Sequence, residues 1–358
     1  MKQDHQIADL YSDYLLASFS ATTATGLSHL LEGEISHDQV TRYLAGTKKT
    51  AADLWLTVKA VVRQVQSAEG VLIIDDSIEE KPYTDENELV SWHYDHSKDR
   101  VLKGINFLTA LSASHGVSLP VGFHLVAKTE KYLDPKTQKE KRRSPVTKNE
   151  LCRELIKQAG VNLIPFRFVV FDTWFASAET MVFIKQQQHR DFICPLKTNR
   201  KVALSLADKH QGRYIRVDTL GLEENSTREV YLEGVDFPLL LVKQVFTNEA
   251  GSLGILYLVS SDTTVSVDDL TTSYHTRWPG ECYHKSLKQH VSLAKSPTQT
   301  VTTQTNHFFA ALCGFIKLER LKVKTKLNHF ALKAKLYLNA LHSAFSTLRH
   351  LTPLQDTA

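Results

Sequence analysis

Two short apolar runs, each ending on acid, constrain this chain most. Val71-Leu72-Ile73-Ile74 leads into Asp75-Asp76-Ser77, and Phe166-Arg167-Phe168-Val169-Val170-Phe171 leads into Asp172-Thr173-Trp174-Phe175. Continuous β-branched and aromatic runs of this length read as buried strands of a largely covered sheet. The expected class is therefore α/β. Carboxylates at such strand ends lie at the rim of the sheet, where open α/β folds place their ligands.

A third acid stands downstream in Tyr274-His275-Thr276-Arg277-Trp278-Pro279-Gly280-Glu281, followed by Lys285 and Lys288. Tyr274, Arg277, Glu281 and Lys288 are spaced three, four and seven apart. At roughly 100° per residue they fall within about 60° of one another around a helix. A tyrosine, two cations and a carboxylate make a poor packing stripe; they suit a metal-binding acid flanked by donors for a phosphate backbone. Acids from two strands and a helix can together hold two divalent cations about 3.5–4 Å apart, the arrangement used for in-line phosphoryl displacement. Pro279 and Gly280 interrupt this helix, at roughly 3 and about 1 kcal/mol in an interior position. Either a helix begins with Pro279 as its first residue, leaving Tyr274 and Arg277 in the preceding turn, or the helix is kinked and Glu281 is aimed differently.

The spacing Tyr274, Arg277, Glu281, Lys288 resembles the YREK signature of the insertion sequence 4 family of DDE transposases. Asp76, in an Asp-Asp-Ser context after a strand, looks like that family's first acid, and Asp172, in Asp-Thr-Trp-Phe-Ala-Ser, like its second. Strand alternation puts Asp75 and Asp76 on opposite faces, so only one should reach the site; the resemblance favours Asp76, with Asp75 as the replacement. The resemblance runs from about residue 70 to the C-terminal helices. It implies an RNase H-like mixed sheet flanked by helices, with a β-rich insertion and helical N- and C-terminal parts. The corresponding division is a helical DNA-binding region over 1–69, a catalytic core over 70–195 and 263–321, the insertion over 196–262 and a C-terminal helical region over 322–358.

The implied activity is that of a bacterial insertion-sequence transposase, which binds transposon ends and carries out DNA strand cleavage and strand transfer. Asp76, Asp172 and Glu281 are its implied ligands for two Mg²⁺ ions, for which Mn²⁺ would substitute. Arg277 and Lys288 would clamp phosphates, Tyr274 would donate to a terminal 5′-phosphate, and Lys285 would face DNA beside them. The implied partners are double-stranded DNA, as transposon ends and target, and a second copy of the chain in a synaptic homodimer. Two other readings stay open. An RNase H-like nuclease that does not transpose would share the acids without needing the signature cations. A catalytically inactive, transposase-derived DNA-binding regulator is kept open by Pro279-Gly280.

The remaining segments fill in this outline. Ser36 caps an expected helix whose Val40, Tyr43 and Leu44 face inward, leaving Arg42 on a polar face; this is either the reading helix of a helix-turn-helix or a small helical subdomain. Gly104–Leu111 and Leu119–Val126 are expected strands. His93 and His96, near Asp95, lack the further ligands a metal site needs, and a hairpin connection fits them better. Residues 128–148 are rich in lysine and arginine, including Arg142 and Arg143, and Pro135 and Pro145 should keep them irregular; they contact a phosphate backbone or form a solvated face. A helix should start near Thr147 with a Glu150 capping box. Four alternating segments, 213–217, 229–232, 238–242 and 255–259, read as strands. Tyr214, Tyr231 and Trp278 are the candidates for trapping a flipped base, as the resemblance implies. The C-terminal part is helical from about Thr303, with Leu318, Leu321, Val323, Leu327, Phe330, Leu332, Leu336 and Leu338 expected toward a core.

The 358 residues, 42% of them hydrophobic, suffice for a large core, and the formal charge of +4 is only mildly basic. No apolar run approaches the ~20 residues of a membrane span, and Met1-Lys2-Gln3-Asp4-His5 lacks a signal-peptide layout. The scattered Cys152, Cys194, Cys282 and Cys313 point to a reducing compartment. A bacterial cytoplasmic, nucleoid-associated location is expected. No glycine-rich phosphate loop supports a nucleotide cofactor.

Overall fold

Both acid-terminated runs become strands, but they end differently. A computed structural model of the chain describes residues 2–95, 98–247 and 251–351. Four helices come first: α1 (Lys2–Ala17), α2 (Ala24–Leu30), α3 (His37–Ala45) and α4 (Ala51–Val65). The strands β1 (Val71–Glu80), β2 (Val90–Asp95), β3 (Arg100–Ser114), β4 (Val117–Leu125), β5 (Glu130–Leu133) and β6 (Glu140–Arg143) lead to helix α5 (Lys148–Val161). Then come β7 (Phe168–Phe171), α6 (Ala178–Val182), β8 (Asp191–Leu196), β9 (Lys201–Val202), α7 (Leu206–His210), β10 (Ile215–Arg216), β11 (Thr227–Val230), β12 (Leu239–Thr247) and β13 (Leu253–Ser260). Helices α8 (Val267–His275), α9 (Trp278–Gln289), α10 (Val301–Thr325) and α11 (His329–Leu351) complete the chain.

Residues 50–283 form one compact unit. Its nine-stranded sheet has the order β11-β12-β13-β8-β7-β1-β3-β2, with β4 also on β3. β1 pairs parallel with β7, and β7 with β8; the other neighbours are antiparallel. The succession β4-β3-β1-β7-β8, an antiparallel trio followed by two parallel strands, is the RNase H-like arrangement of a mixed sheet flanked by helices. Leu72, Ile73, Ile74, Val169, Val170, Phe171, Phe192 and Ile193 are fully buried, which explains why β1, β7 and β8 read as apolar runs rather than alternations. The segments 229–232, 238–242 and 255–259 do not close on themselves; through the pairing of β13 with β8 they prolong the central sheet.

β1 does not stop at Asp75. It continues to Glu80 because β3 pairs with its whole length, from Val71 opposite Ala113 to Glu80 opposite Gly104. Its parallel partner β7 ends at Phe171, opposite Ile74. Asp75 and Asp76 therefore sit in mid-strand with β3 on one side and the mouth of the sheet on the other.

The basic segment is more ordered than expected. β5 and β6 form an antiparallel hairpin, since Pro135 falls in its turn and Pro145 beyond its end. Lys131 pairs with Glu140, Lys141 with Asp134 and Arg143 with Glu130. Thr147 and Glu150 make the expected reciprocal capping box at the start of α5.

The helical unit comprises residues 1–49 and 284–358. In it, Ser36 and Gln39 cap α3 reciprocally, Val40 and Leu44 are buried, and the ring of Tyr43 packs 6.4 Å from that of Tyr11. Gly33, at φ +84°, makes the turn that lets α2 lead into α3. At the other end, Leu318 and Leu332 are buried as expected, but Leu321, Val323, Phe330, Leu336 and Leu338 are exposed. Helical periodicity marks an apolar face; it does not say whether anything in the same chain covers it. Residues 352–358 and His96 lie outside the described residues. No helix among the described residues is long and apolar enough to cross a membrane.

Candidate active site

β1 and β7 run parallel in register up to Ile74 and Phe171, so the next residues of each, Asp75 and Asp172, emerge side by side. The carboxyl of Asp172 is pushed up to about 6, by desolvation first, then by the charge of Asp75, with Asp76 a smaller contributor. A backbone N–H partly offsets this: Trp174 N–H donates to Asp172 Oδ1 at 2.9 Å, closing a tight turn that fixes the carboxylate.

The neighbouring acids face different surroundings. Asp75 Oδ2 lies 3.7 Å from an Arg277 guanidinium nitrogen. Asp76 Oδ2 accepts from Lys148 Nζ at 2.7 Å and from Asn106 Nδ2 at 2.9 Å. Alternation along β1 thus turns Asp75 toward the α9 side and Asp76 toward α5 and β3.

Pro279 and Gly280 now have a local account. The chain breaks between α8 and α9 at Thr276 and Arg277, and Pro279 is the second residue of α9. There its missing N–H is not needed and its fixed φ suits the first turn. Tyr274 stays in the last turn of α8, and Arg277 occupies the link. Gly280 is buried against β1; a Cβ there would stand 3.4 Å from Ile73 Cγ2 and 3.7 Å from Asp75 Oδ2. The glycine lets the first turn of α9 lie directly on the strand that carries Asp75.

Arg277 is the hub of this corner. It bonds Glu281, pairs with Asp75 and sits 6.0 Å from the centre of the Tyr274 ring. Tyr274 is itself buried, and its hydroxyl is pushed above its ordinary range chiefly by desolvation. Glu281 remains 42% exposed, so the arginine holds it at the mouth of the site rather than inside.

Of the residues marked by the sequence, the structure brings together Asp75, Asp76, Asp172, Arg277, Tyr274 and Glu281. Lys285 and Lys288 lie further along α9, in the helical unit, with Lys285 exposed. Arg42 is exposed on α3, and Arg142 and Arg143 are on the β5–β6 hairpin. The sequence reading did not single out Lys148 or Asn106 at the acids; Lys148 was visible only as one cation of a basic segment, and Asn106 as one residue of a strand.

Among the described residues no group of three or more His, Cys, Asp or Glu side chains stands close enough to hold a metal ion. The donor chemistry nonetheless fits a hard divalent cation: two adjacent carboxylates offer only oxygen ligands, and Asp172 is pushed toward its neutral form by burial first and by the charge of Asp75 second. Glu281 carries a further carboxylate at this corner, bonded to Arg277.

A family model described as DDE superfamily endonuclease matches residues 2–216. The chain belongs to this superfamily. The matched stretch includes Asp75, Asp76 and Asp172 and ends before Glu281. Membership supports a nuclease-type enzyme with DNA as its substrate class, in a superfamily whose endonucleases typically use divalent metals. No curated protein matches the chain. Among solved structures, Kluyveromyces polysporus Argonaute with a guide RNA is similar at 9% identity and a TM-score of 0.23, over 72% of this chain and 33% of that one. The chain thus spans about a third of that protein's length, and a likeness this weak carries no argument.

Proposed function

We propose that the chain is a transposase of a bacterial insertion sequence, of the insertion sequence 4 type, which cuts transposon ends and joins them to target DNA. The observation that carries this is the Asp75–Asp172 carboxylate pair at the mouth of the sheet, with Arg277 and Glu281 closing one side of it. The family resemblance favours Asp76; the register of β1 against β7 and the stronger influence on Asp172 favour Asp75 as the paired ligand. Asp76, held by Lys148 and Asn106, then serves to fix the strand and the start of α5.

Bound between Asp75, Asp172 and Glu281, two Mg²⁺ or Mn²⁺ ions would lower the pKa of an attacking water or 3′-hydroxyl and stabilise the leaving 3′-oxygen. The protein supplies the rest. Asp172 must be ionised to act as a ligand, and the turn through Trp174 N–H keeps it aimed. Glu281 turns inward only when Arg277 releases it. Arg277 is then free to grip a DNA phosphate with its planar fork, and the buried Tyr274 ring backs the guanidinium. Lys285, Lys288, Arg42 and Arg142 add cations for the transposon end, with residues 1–69 as its binding region. Leu338, Leu341, Phe345 and Leu348 form an exposed stripe at spacings of three, four and three along α11; it fits a second copy in a synaptic homodimer. A cytoplasmic, nucleoid-associated site of action belongs to the same proposal.

The test is cleavage of supercoiled DNA bearing the element's own ends, in Mg²⁺, by wild type and by Asp75→Asn, Asp76→Asn, Asp172→Asn and Glu281→Gln. End-specific cutting lost in the Asp75, Asp172 and Glu281 variants, with activity retained in Asp76→Asn, is the expected result. Binding without cutting by the wild type would favour the inactive regulator, in which the Arg277–Glu281 pair is permanent. Cutting without joining would favour a nuclease that does not transpose.

A further inference from the structure

β7 and β8 are parallel and open onto the same rim, so the segment after β8 comes out beside the Asp172 turn. That turn pushes Trp174 outward, 45% exposed. The segment after β8 carries Lys197, Asn199, Arg200 and Lys201. Between them lie two adjoining clefts of about 350 and about 410 Å³, which share Trp174 and Lys197. The first also takes in Lys148, whose ammonium stands 5.3 Å from the centre of the Trp174 ring and bonds Asp76. No residue lining either cleft is acidic. Lys197, Arg200 and Lys201 form no ion pair with a carboxylate among the described residues.

On the β5–β6 hairpin, by contrast, Lys131, Lys141 and Arg143 each pair with an acid. Here the Trp174 ring, the Asp76-bound Lys148 and the cations Lys197, Arg200 and Lys201 line a groove that begins at Thr173, the residue after Asp172. An exposed ring beside a positive track is how proteins hold unpaired nucleotides, by stacking the base and screening the backbone.

We infer that this groove binds an unpaired DNA strand: the nucleotide next to the scissile phosphate stacks on Trp174, and the phosphates beyond it follow Lys197, Arg200 and Lys201. The inference rests on the proposed DNA-cutting role of the Asp172 site and assigns the path of the strand that leaves it. An intact duplex would present only its backbone there, with no base free to stack on Trp174. The aromatic that engages a base is then Trp174, rather than Tyr214, Tyr231 or Trp278.

The experiment uses the full-length protein in Ca²⁺, which permits binding without turnover, and compares duplex ends that are blunt with ends carrying a four-nucleotide single-stranded flank. Affinity is read by fluorescence anisotropy, and 2-aminopurine at the first flanking position reports stacking. Wild type should prefer the flanked end and quench the 2-aminopurine. Trp174→Ala should lose about 5- to 100-fold in affinity for the flanked end, the range of one base–aromatic stack, and restore the fluorescence. Trp174→Phe should retain most of both, which separates stacking from a folding defect. The double variant Lys197→Ala/Arg200→Ala should keep the quench but flatten the salt dependence by about 0.7 in log–log slope per lost phosphate contact. Blunt-end affinity should hold in both Trp174 variants.

Equal preference for flanked ends in wild type and Trp174→Ala overturns the inference, as does competition by a free deoxynucleoside monophosphate as strong as that by the flanked DNA. If wild type still cuts DNA in Mg²⁺ under that outcome, the proposed function stands without the groove. If wild type binds no DNA, both fall together.

Discussion

Replacing Asp172 by asparagine should stabilise the metal-free protein at neutral pH. The carboxyl is raised from 3.8 to about 6 by burial and by Asp75, so in the folded state it is charged at pH 8 against resistance. That shift corresponds to about 3 kcal/mol at about 1.36 kcal/mol per tenfold change. Asparagine keeps an oxygen to accept the Trp174 N–H, so the turn survives and most of the relief is realised; a gain of about 1–3 kcal/mol, or roughly 2–10 °C in Tm, is expected. The sign follows from proton binding. Because the folded pKa is raised, the wild type is favoured at low pH and loses stability as pH rises from about 4 to about 6. The variant lacks that loss, so the two melting curves should coincide near pH 3.5, separate up to about pH 6 and run parallel above it. Differential scanning calorimetry across this range, with chelator present, makes the measurement. A variant less stable than wild type at pH 8, or a gap that does not change with pH, would refute the reasoning. Added Mg²⁺ should narrow the gap, since a cation between the acids removes the repulsion in the wild type alone.

Three further outcomes follow from particular contacts. Gly280→Ala should fold and cut DNA, since the new Cβ meets only ordinary contacts, whereas Gly280→Leu should lift α9 from β1 and abolish cutting, with circular dichroism showing the fold retained. Ser36→Ala removes half of a reciprocal cap on α3 and should cost about 1 kcal/mol of stability in urea unfolding. The double variant Leu341→Asp/Phe345→Asp, on the exposed face of α11, should abolish dimers on DNA in sedimentation velocity and leave the melting temperature within about 2 °C of wild type; unaltered sedimentation would remove that face from the assembly.

Much of the fold was legible because burial on both faces leaves a simple trace. Val71–Ile74 and Phe168–Phe171 had to be covered strands, and the acids after them had to lie at an opening. The extent of β1 was not legible: Asp75-Asp76-Ser77 reads as a strand end, and only the length of β3 shows that pairing carries on to Glu80. The same holds for 128–148, where prolines suggested irregular chain but fall in the turn and beyond the end of a hairpin. At the site, residue types and order were readable, yet the choice between Asp75 and Asp76 depends on register with a strand 97 residues further along the chain. Nor could a sequence say that Gly280, apparently a helix breaker, is a point of close approach, or that Arg277 lies against both Asp75 and Glu281. Trp174 is legible only as a neighbour of Asp172, and the cations after β8 form no motif; they meet only where two parallel strands end together.

The proposed chemistry requires that Asp75 and Asp172 together form an oxygen-ligand site for a divalent cation. Crystals of the full-length chain soaked in Mn²⁺ and measured at the manganese absorption edge test it most directly. The account predicts an anomalous peak in contact with both the Asp75 and Asp172 carboxylates, absent in Asp172→Asn and retained in Asp76→Asn. A peak on Asp76 with none at Asp75, or no peak at either acid in a soak that labels the ion elsewhere, would contradict it.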